Sequence, residues 1–228
     1  MATPLTIEPQ EATTGAGERA AVGVQPLVIH RVFARASQWT FEIKPVRELL
    51  QRYVGDGRGW ADPYAGKSRL AEWTNDLNPN QQTTHHLEAA DFADELPANL
   101  NGVLYDPPYS YRQITEHYRE YGRTATAKDT SYNFYRRAQI KLAPKIRTGG
   151  IVISFGWNSN GFGVGLGFVK REILLIAHGL HHNDTICTVE EKMDNRESSP
   201  TGGRKGTEWQ RIIPLASLTP ATSQPPAS

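Results

Sequence analysis

Short apolar runs closed by turn residues alternate with stretches of helical spacing through the middle of the chain. Gly149-Gly150 opens Ile151-Val152-Ile153-Ser154-Phe155, a run of buried-strand length. Val103-Leu104-Tyr105 is a second such run, and it ends in Asp106 and two prolines, which cannot donate ladder hydrogen bonds and so stop a strand. Val46, Leu49, Leu50 and Tyr53 recur at helical spacing behind Pro45, a residue suited to a helix start. Residues 111–121 and 131–145 also read as helices, joined by a polar loop over 122–130. Residues 170–177 and 185–190 read as two strands of an antiparallel hairpin, and residues 26–33 as a further strand. At the ends the pattern fades. Residues 1–24 lack apolar periodicity and read as a disordered arm, and residues 216–228 read as a disordered tail, which leaves one domain over 25–215.

Composition narrows the class. With 228 residues and 38% apolar content the chain can bury one sizeable α/β core. A lone cysteine, Cys187, excludes an internal disulfide, and no apolar run approaches the ~20 residues that cross a bilayer. Both point to the cytoplasm, and against a membrane partner. The formal charge is +1, yet the basic residues cluster: residues 111–147 hold nine Lys or Arg against three acids, a local +6. Paired histidines, His85-His86 and His181-His182, show no accompanying ligand spacing and imply no metal.

Four short words carry candidate chemistry. Asp106 closes a strand at the edge where open α/β sheets bind ligands. There, the Asp106 carboxylate and the Pro107 carbonyl can accept both hydrogens of an exocyclic amine while the Tyr109 ring stacks on a base. Earlier, Asp62-Pro63-Tyr64-Ala65-Gly66-Lys67-Ser68 forms a tight turn in which Gly66 allows close backbone approach. Asp76-Leu77 follows where a second strand would end, suiting an acid for ribose hydroxyls. Then comes Leu87-Glu88-Ala89-Ala90-Asp91-Phe92. Read singly, each word has a plainer meaning: a surface turn for the first three, a helix N-cap for Asp91.

In sequence, the four words resemble the motifs of the S-adenosylmethionine-dependent amino-methyltransferases. Asp106-Pro107-Pro108-Tyr109 resembles their catalytic motif, and Asp in first place is most like the small DNA N6-adenine methyltransferases. The resemblance implies a Rossmann-like class I methyltransferase fold: a mostly parallel seven-stranded sheet with a C-terminal antiparallel hairpin. It implies S-adenosylmethionine as cofactor, S-adenosylhomocysteine as product and no metal. It places Phe41, Ile43, Lys44 and Pro45 by the methionine part of the cofactor, and Asp62, Pro63, Tyr64 and Gly66 in the cofactor loop. Asp76 and Leu77 then hold the ribose and adenine, and Asp91 and Phe92 the adenine. Catalysis falls to Asp106, Pro107, Pro108 and Tyr109.

The implied substrate is adenine in DNA, flipped out of the helix, in the cytoplasm of a prokaryotic or virus-infected cell. Phosphate contacts are expected from Arg112, Arg123, Lys128 and Arg136, and from Arg204 and Lys205 in a glycine-rich loop. Trp157, Asn158 and His182 are expected to face the base, and a homodimer is one way to widen the contacts. Two departures stand against the resemblance. Ser68 replaces the second glycine of the cofactor loop, and residues 55–59 make a polar approach to a central strand. Methylation of cytosine N4 in DNA, methylation of an RNA base or of protein glutamine, and an inactive cofactor-binding module therefore remain alternatives.

Overall fold

The computed structural model describes residues 5–6, 26–126, 129, 132–179 and 182–194. Residues 195–215 of the expected domain lie outside them. So do the arm and the tail, except that Leu5–Thr6 (β1), inside the arm expected to be disordered, pairs antiparallel with Val28–Phe33 (β2). The remaining strands are Trp60–Asp62 (β3), Trp73–Thr74 (β4), Leu100–Tyr105 (β5), Ile146–Gly156 (β6), Phe168–Ala177 (β7) and Thr185–Lys192 (β8). Their order in one sheet is β1-β2-β7-β8-β6-β5-β3-β4. The pairs β2·β7, β6·β5, β5·β3 and β3·β4 are parallel. Strand β8 lies antiparallel between β6 and β7. The seven strands from β2 onward thus form the expected mostly parallel α/β sheet closed by an antiparallel hairpin.

Alternation along the strands builds two cores. Leu104, Ile153 and Phe155 point to one face, where they meet Val46, Leu49 and Leu50 of the helix Lys44–Tyr53 (α1). Val103, Tyr105 and Val152 point to the other, beneath the helices Ala89–Glu95 (α2) and Tyr132–Leu142 (α4). The last turn of α1 is tied down by the buried Glu172 at a bulge in β7, which accepts from Arg52 at 2.6 Å and from the Tyr53 hydroxyl at 2.8 Å. A carboxylate buried this deeply must be paired in this way.

The polar run before Asp62 has a simple explanation. Strand β3 spans only three residues, all buried, and residues 54–59 form the turn that leads into it from α1. After β3 the chain steps outward to β4, then returns across β3 to build β5 and β6 on the other side. Connections leave β3 and β5 in opposite directions, and a crevice opens at their carboxyl ends.

Candidate functional site

Asp106 leaves β5 at this crevice, and a cavity of about 390 Å³ lies against it. Pro63, Tyr64 and Gly66 line the cavity after β3, Asp76 and Leu77 after β4, and Asp106 to Tyr109 after β5. These three words, with Glu88 and Ala89 of the fourth, therefore meet in one hollow, of a size that suits a small organic ligand.

Each acid is held differently. Asp76 accepts from the Gly66 and Asn78 amides at 3.0 and 2.8 Å, which fixes its carboxylate at the cavity wall, and burial raises its pKa against the pull of those two bonds. Gly66 sits at φ 51°, a left-handed conformation that favours glycine. Asp62 is fully buried beneath the wall. Its Oδ1 accepts from the Tyr64 amide at 3.1 Å, while Oδ2 has no partner among the described residues. Burial, then Asp106 and Asp76 nearby, push its carboxyl well above the usual range.

The Asp106 carboxyl is pushed up to about 6 by burial, against hydrogen bonds from the Tyr109 and Thr40 hydroxyls that hold it down. The Tyr109 ring leans on Trp157, centroids 5.8 Å apart, and lies over Gly156, where a Cβ would stand 3.4 Å from the ring. Tyr135 donates from its hydroxyl to the Pro108 carbonyl at 2.9 Å, whereas no hydrogen bond to the Pro107 carbonyl is found among the described residues. Beyond the turn, Ser110 caps the helix Tyr111–Arg119 (α3) by accepting from the Gln113 amide, and Gln113 Oε1 accepts from the Tyr109 amide at 2.7 Å. This Ser-x-x-Gln arrangement fixes where the turn after Asp106 ends.

Several expected residues lie elsewhere. Phe41 lines the cavity, but Ile43 is buried in the core at the head of α1 and Lys44 pairs with Glu48 on its outer face. Pro45 occupies the first turn of α1 and is not in the cavity wall. The chain turns into α1 immediately after the cavity-lining segment 38–42, which carries these three away. Asp91 and Phe92 also lie away from the cavity wall. Helix α2 begins after Glu88, so Asp91 lies within its first turn, paired with Arg137 and Lys141 of α4, and Phe92 is buried in the core. Glu88 and Ala89 are the residues of that word in the cavity wall.

The expected nucleic-acid contacts divide likewise. Arg123 pairs with Glu88 and Asp129, and Arg136 donates to the Phe162 carbonyl and to Gln139. Both are turned to the protein. Arg112 is on the surface, bonded to Glu116. Trp157 is exposed beside Tyr109, Asn158 caps its own turn through the Asn160 amide, and His182 is exposed in the β7–β8 connection. Lys128, Arg204 and Lys205 lie outside the described residues. His117, Trp39 and Thr40 also line the cavity, and no spacing in the sequence singles them out. Among the described residues no group of His, Cys, Asp or Glu is placed to hold a metal ion, and no helix is long and apolar enough to cross a membrane.

No protein-family model matches the chain, and no curated protein matches it. Among solved structures, it is similar to TrmN from Thermus thermophilus, with 14% identity, TM-score 0.44, and coverage of 66% of this chain and 49% of that one. It is also similar to the N-methyltransferase NodS from Bradyrhizobium japonicum WM9, with 11% identity, TM-score 0.45, and coverage of 70% and 100%. A third is the Burkholderia thailandensis 1,6-didemethyltoxoflavin-N1-methyltransferase, at 12% identity, TM-score 0.45, and 66% and 78% coverage. The chain spans about half the length of TrmN. At these identities and scores the likeness assigns neither substrate nor activity to this chain.

Proposed function

We propose that the protein transfers a methyl group from S-adenosylmethionine to the exocyclic N6 of adenine in DNA. The observation that carries this reading is the meeting of Asp76 and the Asp106-Pro107-Pro108-Tyr109 turn in one cavity at the switch point of the sheet. The cavity's donors and acceptors suit this cofactor. Asp76, fixed by two amides, can accept from ribose hydroxyls, and a cationic amino-acid end bound nearby would favour ionisation of the buried Asp62, whose Oδ2 has no partner among the described residues. Glu88, with Leu77 and Ala89, can take the adenine amine and cover its ring. Ser68 lines the same loop, so the missing second glycine does not close the cavity.

When bound, S-adenosylmethionine supplies an electrophilic methyl on a sulfonium. The chain's own residues prepare the nucleophile. Asp106 and the Pro107 carbonyl accept the two amine hydrogens, drawing the nitrogen out of conjugation with the ring, while Tyr135 keeps the Pro108 carbonyl out of that contest. Tyr109 covers the base, and the Tyr109 and Thr40 hydroxyls on Asp106 leave the carboxylate further lone pairs for the amine. On transfer of that methyl to the amine nitrogen, Asp106 would accept the surplus amine proton. A carboxylate whose pKa is pushed up to about 6 is ionised at neutral pH yet basic enough to accept it. Since the amine is engaged in base pairing, the adenine must first leave the stack, at a cost of a few kcal/mol.

The test is transfer of labelled methyl from S-adenosylmethionine to duplex DNA, single-stranded DNA and RNA in parallel, with nucleoside analysis. N6-methyladenine in DNA, absent with Asp106→Asn, supports the reading. Label in RNA or cytosine, or in nothing, overturns it.

A further inference from the structure

The basic segment after the catalytic turn contains one arginine whose surroundings do not suit a phosphate contact. Arg123 Nη2 donates to Glu88 Oε1 at 2.8 Å and lies 3.6 Å from Asp129, and the guanidinium carbon stands 4.5 Å from the centre of the Tyr118 ring. Asp129 is held in turn by the Thr126 amide and hydroxyl, each at 2.7 Å. Two carboxylates, both reached through Nη2, and an aromatic face thus hold one guanidinium, which stands over the Tyr118 ring. Glu88 belongs to the cavity wall, at the head of α2, and no protein donor among the described residues takes its Oε2. A glutamate with three free rotors is a poor selector, because a mobile acceptor can turn away from a mismatched partner. Pairing one oxygen fixes the other.

Resting on the methyl-donor reading above, we infer that Arg123 is a positioning residue that fixes Glu88 as the acceptor for a purine amine, and so sets the site's preference for adenine over hypoxanthine in the cofactor. Adenine presents a donor at its six-position. Hypoxanthine presents a carbonyl there, and a fixed carboxylate repels it. The discrimination requires a rigid acceptor, and Arg123 supplies the rigidity from the segment that covers the cavity, where Ile114, Tyr118 and Ala125 form a small core of their own with Leu77.

Calorimetric binding of S-adenosylhomocysteine and of its inosine counterpart to the full chain tests this without catalysis. The wild type should prefer the adenosyl ligand on the order of tenfold or more, as expected for a hydrogen bond to a charged acceptor. In Arg123→Gln the preference should shrink about fivefold, with the loss falling on the adenosyl ligand. Arg123→Met, which keeps a stem on Tyr118 but no charge, should behave alike and serves where Arg123→Gln fails to fold. Equal weakening of both ligands, or an unchanged preference with weaker nucleic-acid binding, overturns the assignment. Failure of both variants to fold overturns it too, since Arg123 would then hold the fold. A wild type that prefers the adenosyl ligand while the variants keep that preference overturns this inference alone, whereas a wild type that binds neither ligand sinks the cofactor reading beneath it.

Discussion

On the proposed reading, Asp106 trades stability for chemistry. Its carboxyl titrates at about 6 in the fold because burial penalises its charge, against about 3.9 in an unfolded chain. Activity that needs the ionised form should fall as pH drops through 6, by roughly tenfold per unit below it, and a pH–rate profile of methyl transfer reads this directly. The stability consequence has the opposite sense. The folded state binds a proton more tightly than the unfolded one, so this group's favourable contribution is full below pH 4 and is lost as pH rises through 6. Asp106→Asn keeps the shape, and an acceptor for Tyr109, without the buried charge. Thermal unfolding at pH 8 should find it more stable by about 1–3 kcal/mol, with the gain shrinking toward pH 4, while methyl transfer is lost. A variant destabilised at pH 8 would mean that the carboxylate is well solvated. Asp106 was legible because its strand, its prolines and its ring are contiguous. Glu88 was not, because the choice between Glu88 and Asp91 turns on where α2 begins, and no Ser, Thr, Asn or Asp cap marks that point.

Between strand and helix, the glycine-rich segment after β6 resisted a sequence reading because long-range contacts, rather than local propensity, fix it. Glu190 of β8 is fully buried and accepts from the Phe162 and Gly163 amides at 2.6 and 3.0 Å. From the other side Arg136 donates to the Phe162 carbonyl and Gln139 to the Gly161 carbonyl, at 3.0 and 3.3 Å. The peptide is clamped between a strand and a helix, with Phe162 edge-on to Tyr105, whose hydroxyl donates to the Tyr135 carbonyl. Gly161 cannot be larger, since a Cβ there would stand 2.1 Å from Glu190 Oε2. Glu190→Gln puts an amide donor against an N–H. Denaturant unfolding should show a loss of about 2–3 kcal/mol, as for a broken buried hydrogen bond to a charged group, whereas a loss below about 0.5 kcal/mol would mean that the clamp is idle. Strands β5 to β8, by contrast, were legible, because buried strands flanked by Gly and Pro leave an apolar signal. The parallel docking of β2 on β7 was not, since pairing partners more than a hundred residues apart leave no local mark.

Across the whole chain, the cavity is assembled from segments that follow three different strands, together with residues 38–42 and the cover formed by α3 and the chain after it. None of these segments can form the site alone, so a ligand that bridges them should stabilise the fold as a unit. A ligand that binds only the folded state adds about 2.7 kcal/mol at a hundred times its dissociation constant, and a domain of this size gains roughly 2–4 °C per kcal/mol. S-adenosylhomocysteine at that ratio should therefore raise the melting temperature by about 5–10 °C. Asp76→Ala removes the carboxylate at the cavity wall, and a tenfold weaker site at the same ligand concentration should about halve the shift. Asp106→Asn, which on the proposed reading changes the acceptor for the base rather than the cofactor wall, should keep the full shift. If Asp106→Asn also lost it, the two halves of the cavity would be one ligand site, and the division into cofactor wall and base acceptor would have to be redrawn.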